Sequence, residues 1–148
     1  MSSFAMTKSL KRIAEVAKQD GRYKADAFFF VQQALAFAQL QRGRTKQRAS
    51  RDDSDEPRSP LEPHLTGQEL CAAIRGYAQE LYGLMARVVL NSWGVRATSD
   101  FGEIVYRLIE IGEMTKSEHD QREDFDDVYD FRQAFERDYR ITQLEDDE

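Results

Sequence analysis

Residues 66–112 read TGQELCAAIRGYAQELYGLMARVVLNSWGVRATSDFGEIVYRLIEIG, and this stretch decides the fold. Thr66 and Glu69 have capping-box spacing: the hydroxyl can accept from the backbone N–H three residues on, and the carboxylate can reach back. Beyond the cap, Leu70, Ile74, Tyr77, Ala78 and Leu81 recur at helical spacing up to Gly83. A short helix follows, with Met85, Val88, Val89 and Trp93 expected inward and Gly94 as a left-handed terminator. Thr98, Ser99 and Asp100 offer capping groups ahead of Phe101, Ile104, Val105, Leu108 and Ile111, and Gly112 ends that helix. Three helices on such short connections predict a tight tri-helical unit.

Upstream, Leu10, Ile13, Ala14 and Ala17 mark a first helix, stopped at Asp20-Gly21. Ala25–Leu40, ADAFFFVQQALAFAQL, sets Ala27, Phe28, Val31, Ala34, Leu35 and Ala38 on one stripe, widened by Phe30 and Phe37. So apolar a helix belongs at the centre of a core or in an oligomer interface. Residues 42–63 change character, with one large apolar residue (Leu61) and all three prolines, and they read as a flexible linker.

Downstream of Gly112 the pattern weakens. One reading pairs residues 113–116 with 127–131 as a β-hairpin, since Val128, Tyr129 and Phe131 favour strands. The competing reading spaces Phe125, Val128 and Tyr129, then Phe131, Ala134 and Phe135, as helical contacts. With the hairpin, the expected fold is mainly α: a compact, winged-helix-like three-helix unit packed with two N-terminal helices. The expected layout is residues 1–41 as the N-terminal helical part, 42–64 as linker, 65–141 as core and 142–148 as an acidic tail.

Charge is segregated along the chain. Residues 1–51 carry 11 Lys/Arg against 3 acids, a net +8, while residues 52–148 carry 10 against 24, a net −14. Such asymmetry suits a basic arm meeting an acidic partner, or arm and body meeting each other. Solvated charges act over only about 8 Å at physiological salt, so contact is required. No apolar run is long enough for a transmembrane helix, and the start lacks the pattern of a secretory signal. A lone cysteine, Cys71, excludes an internal disulfide. Cytoplasm is the expected location.

YKADAFFFVQQAL, the 66–95 stretch, and TSDFGEIVYRLIEIGEMTKSEHDQREDFDDVYDF with a following AF together resemble an uncharacterised bacterial family seen chiefly in planctomycetes and verrucomicrobia. The resemblance covers about two thirds of the chain. It is most specific through Trp93, Phe101-Gly102, Ile104-Val105 and the Asp/Phe-rich segment ending at Phe131. It implies a shared fold and a bacterial cytoplasmic setting, and carries no activity, cofactor or catalytic residue.

The sequence offers no catalytic or metal-binding constellation of its own. His64, His119 and Cys71 lack the paired spacing of a zinc site. Asp120, Glu123, Asp124, Asp126, Asp127 and Asp130 crowd beside His119 without calcium-loop spacing, and read first as solvated charge. Cys71 lies within a helix, as a small apolar filler does. Neither phosphate-loop nor dinucleotide fingerprint occurs. Gly76 and Gly102 fall inside helices, where each costs roughly 1 kcal/mol against alanine, and close helix approach would explain both. The third helix and its end carry Asp100, Glu103, Glu110 and Glu113 against Arg107, a face that repels DNA.

A non-enzymatic protein-binding or adaptor module is therefore the leading expectation, with no cofactor, catalytic residue or metal ligand assigned. Its expected contact surfaces are basic (Arg42, Arg44, Lys46, Arg48, Arg51) and acidic (Asp120, Glu123, Asp124, Asp126, Asp127). The partner is another protein, or a second copy through the Phe28–Phe37 helix. The alternatives are a nucleic-acid or ribonucleoprotein accessory factor using the basic region, and a small enzyme with a carboxylate site near His119. Membrane association is not expected.

Overall fold

The apolar stripe of residues 25–40 meets no proline, and no glycine before Gly43, so nothing in it stops a helix. In the computed structural model this stripe is the spine of α2 (Ala25–Asp53). The structure describes residues 3–53, 65–115 and 121–139, with side chains described over 8–43 in the first range. Phe28, Val31 and Ala34 of α2 are sealed from solvent. Such burial stabilises by about 1.5–3 kcal/mol for a side chain of Val or Phe size. α1 (Ser3–Asp20) packs on α2 through Ile13 and Ala17. On α2 also lies α3 (Gly67–Tyr82), which buries Leu70, Cys71, Ile74 and Ala78. A 3-10 turn, Gly83–Met85, leads into α4 (Ala86–Ser92), and α5 (Thr98–Glu110) closes the core with Phe101, Ile104, Val105 and Leu108.

Local chemistry sets the helix ends. The Thr66 hydroxyl accepts from Glu69 N–H at 3.0 Å, and Glu69 Oε1 accepts from Thr66 N–H at 3.1 Å, the reciprocal cap the spacing predicts. Gly94 ends α4 at φ 95°, and Val95 N–H reaches back to Leu90 C=O at 3.0 Å, a left-handed stop. Gly94 also lies too close to the α1–α2 connection for a side chain, because a Cβ there would sit 2.4 Å from Arg22 O.

The hairpin and the winged-helix outline are not supported: among the described residues there is no strand. Residues 122–125 instead form a 3-10 turn, Arg122–Phe125, and a last helix, α6, spans 131–139 with Gln133–Arg137 π-helical. The physical reason lies in the caps and the rings. Asp130 Oδ2 accepts from Gln133 N–H at 3.0 Å, which starts a helix where a strand was expected to continue. Phe131 stacks on Phe101 at 5.6 Å, and Phe135 meets Phe131 edge-on at 5.1 Å, so helical spacing wins over strand propensity.

Phe125 is the plug of this C-terminal segment. It is buried against two glycines: a Cβ on Gly67 would come within 3.1 Å of its ring, and one on Gly102 within 2.9 Å of its own Cβ. Gly102 thus serves close approach, of a turn rather than a helix. Gly76 does not, since it is exposed and a Cβ there meets nothing within 4 Å.

The segment expected as a linker from residue 42 is helical as far as Asp53, where α2 ends. Residues 42–53 contain no proline and are rich in Arg, Lys, Gln and Ala, which favour helix. The rest of that segment, 54–64, and the acidic tail lie outside the described residues, as do His64 and His119. Among side chains expected inward, Leu10, Leu81, Met85 and Val88 are 47–56% exposed and Ala14 is exposed, whereas Ala86 and Leu90 hold the core positions of α4.

Candidate functional site

Leu81, Leu84, Met85 and Val88 stand at positions i, i+3, i+4 and i+7 across the α3–α4 junction, each 44–56% exposed. The core behind them is already filled by Ile74, Ala78, Ala86 and Leu90, none more than 1% exposed. More apolar side chains converge on the junction than one buried face can take, so the surplus faces solvent. Single exposed leucines are ordinary, but four large apolar residues within eight positions are not.

α6 packs on both the 83–85 turn and α4. Between α4 and α6 lies a concavity of about 370 Å³ lined by Arg87, Arg132, Glu136 and Arg137. Arg87 grips Glu136 through two bonds, 2.8 and 3.4 Å. Arg132 and Arg137 make no ion pair among the described residues. Arg75, on α3, meets Asp138 at 3.1 Å, and Gln79 donates to Ala134 C=O at 2.9 Å, so α6 is fixed in place along its length.

The buried polar groups serve the fold. Asp100, 7% exposed, accepts from Tyr23 Oη at 2.5 Å, from Arg96 N–H at 2.8 Å and from Ala97 N–H at 3.1 Å, with Arg22 at 3.5 Å. It therefore ties the α1–α2 connection to the start of α5. Burial, joined by the bond to Asp100, pushes the Tyr23 hydroxyl pKa above its ordinary value. Burial alone pushes the Cys71 thiol up to about 12. A thiol held protonated there is a packing atom and a poor nucleophile. Tyr129 donates to Cys71 C=O at 2.8 Å, and burial raises its pKa also. Among the described residues no group of three His, Cys, Asp or Glu is placed to hold a metal ion, and no helix is long and apolar enough to cross a membrane.

The residues expected to form contact surfaces fall on α2 and around the Arg122–Phe125 turn. Arg42 is half-buried on α2, and Arg44, Lys46, Arg48 and Arg51 lie on its helical backbone with side chains outside the described set. Asp120 lies outside the described residues. Asp124 accepts from Gln121 N–H at 3.1 Å and packs against Gly67, while Glu123, Asp126 and Asp127 are exposed. Arg122 pairs with Glu103 and lies 5.8 Å over the Tyr106 ring. Phe28 and Phe30, expected in a core or an interface, are buried in the chain's own core, and Phe37 is half-buried at 5.1 Å from Tyr77.

Sequence reading missed this surface because it put Leu81 on the apolar face of its helix, expected Met85 and Val88 inward and left Leu84 unassigned. The signal was present: the stripe beginning at Leu70 continues past the glycine stop at Gly83, where a helix ending there needs no further apolar face. Compared with protein-family models, curated proteins and solved structures, the chain matches none.

Proposed function

We propose that the chain is a non-enzymatic protein-binding module that seats an amphipathic segment of another protein, apolar on one face and acidic on its flank. The observation that carries this is the exposure of Leu81, Leu84, Met85 and Val88, with Arg132 and Arg137 on α6, the helix that packs on the same turn and on α4. Leu84, Met85 and Val88 follow the break at Gly83 (φ 55°) at helical spacing, and an exposed apolar face of this kind is what the apolar side of an amphipathic helix packs on. The two arginines supply bidentate donors for carboxylates at the rim, where charge sets partner choice and on-rate more than affinity. Catalysis has no support of this kind, since Cys71 is protonated and buried and the acid at Asp100 is fully engaged.

The test is site-specific photo-crosslinking on the full chain. A photoreactive residue replacing Met85 is expected to trap one protein in its own cell extract after nuclease treatment, and one replacing exposed Gln68 is not. Arg132→Glu with Arg137→Glu is expected to reduce the trapped product about tenfold or more. Equal trapping at positions 68 and 85, trapping of a second copy of this chain alone, or indifference to the arginine reversals would each overturn the proposal.

A further inference from the structure

A second concavity, of about 520 Å³, opens where the end of α1, the α1–α2 connection and the end of α4 meet. Its walls carry Lys18, Arg22 and Lys24 from the first half of the chain and Asn91, Ser92 and Trp93 from the second, with no carboxylate among the lining residues. In a protein of net charge −6, three cations around one opening need a reason. Lys18 and Lys24 make no ion pair or side-chain hydrogen bond among the described residues. Arg22 is held in place, 3.5 Å from Asp100 and 5.2 Å over the Tyr23 ring.

The frame around these groups is rigid. Lys24 N–H donates to Trp93 C=O at 3.1 Å, which joins the two walls, and Gly94 abuts Arg22 O too closely for any Cβ. Trp93 packs against Phe30 at 5.5 Å and Tyr82 at 6.0 Å, so its indole is backed by the core while part of it borders the cleft. Ser92 donates its hydroxyl to Val89 C=O at 2.6 Å and has no proton to give an anion, whereas the Asn91 amide has no side-chain bond among the described residues.

We propose that this cleft binds a small organic phosphate monoester that carries an aromatic or heterocyclic group. A phosphate monoester is close to a dianion at neutral pH, which suits three converging cations better than a carboxylate. Arg22 presents a planar fork to the phosphate, and the lysines act as point charges beside it. The volume lies within the range of about 300–1,000 Å³ typical of small-molecule sites. Trp93, partly exposed, is among the lining residues, so a ring carried by the ligand would meet an aromatic wall there. This site uses different residues from the α3–α4 surface and stands without it.

Trp93 is the single tryptophan of the chain and lines this cleft, so its fluorescence gives one signal from the cleft wall. Titration with adenosine 5′-monophosphate, excited at the red edge of the indole band, is expected to give a saturable change with Kd below about 1 mM. Adenosine and inorganic phosphate are each expected to bind at least about tenfold more weakly. Lys18→Ala with Lys24→Ala, both exposed positions, is expected to raise Kd about tenfold or more with an unchanged circular-dichroism spectrum. The absence of a saturable change, equal binding of inorganic phosphate, or a response that survives the double substitution would each overturn the proposal.

Discussion

Two glycines inside helices, Gly76 and Gly102, look alike in the sequence and are opposite in the structure, so one substitution at both tests the packing of the C-terminal segment. Alanine in place of either gains helix propensity worth about 1 kcal/mol. At Gly76 nothing opposes the gain, because a Cβ there meets no atom within 4 Å. At Gly102 the new methyl would lie 2.9, 3.0 and 3.1 Å from Cβ, Cγ and Cδ2 of Phe125. Those atoms sit at the root of a buried side chain, so relief requires moving the Arg122–Phe125 turn itself. Overpacking of this kind costs about 1–3 kcal/mol, which cancels or exceeds the propensity gain. Gly76→Ala is therefore expected to stabilise by about 0.5–1 kcal/mol, and Gly102→Ala to destabilise by about 0–2 kcal/mol. Urea denaturation followed by far-ultraviolet circular dichroism resolves the difference. Combining Gly102→Ala with Phe125→Ala closes a double-mutant cycle, with an expected coupling of about 1 kcal/mol or more as the methyl occupies vacated space. A Gly102→Ala variant as stable as Gly76→Ala, or a cycle without coupling, would refute the placement of Phe125.

Asp100 is expected to be the costliest polar position of the fold: Asp100→Asn removes a charge that collects four donors, for a loss of about 2–4 kcal/mol. Tyr23→Phe is expected to cost less, about 1–2 kcal/mol, since only one of those donors goes. Equal stability of Asp100→Asn and wild type in urea would remove Asp100 from this role. Cys71 is expected to resist Ellman's reagent in the native protein and react on unfolding. Below pH 9 the thiol is protonated in both native and unfolded chains, so its contribution is intact. Between pH 9 and about 12 the unfolded chain ionises and the native one does not, so stability falls, by on the order of 4 kcal/mol from this group. Cys71→Ala is expected to shrink that alkaline decline, and an unchanged slope would show the thiol is not buried.

Legibility followed the range of the forces involved. The Thr66 cap and the Gly94 stop are local, satisfied by atoms within a few residues, and the spacing of the residues revealed both. The core of α2 was equally plain, since Phe28 and Val31 leave a helix no choice of inward face. The segment after Gly112 was not, because Phe131 is held by Phe101, thirty residues away, and Phe135 packs on Phe131 in turn, contacts that strand propensity could not register. The 81–88 cluster failed for the same reason in reverse: periodicity shows that Leu81, Met85 and Val88 share a pattern, but only the packed core shows that their places are taken. The cleft at Trp93 lies between residues about seventy apart in the chain, beyond any motif.

The charge segregation finds a partial explanation in which charges meet. Among the described residues, pairs that join the basic front to the rear include Arg12 to Glu113 at 3.3 Å, Arg22 to Asp100 at 3.5 Å, and Arg107 back to Asp20 at 3.3 Å. In each pair the arginine is about half exposed, so each contributes about 1 kcal/mol at most. Burial of Ile13 and Phe28 outweighs them, and the front is held to the rear by apolar packing rather than by opposite charge. Surplus cations are therefore not needed for folding. Among the described residues, Lys18 and Lys24 at one opening and Arg132 and Arg137 at the other are cations without an ion pair. Charge that makes no ion pair inside the chain is available for what binds from outside.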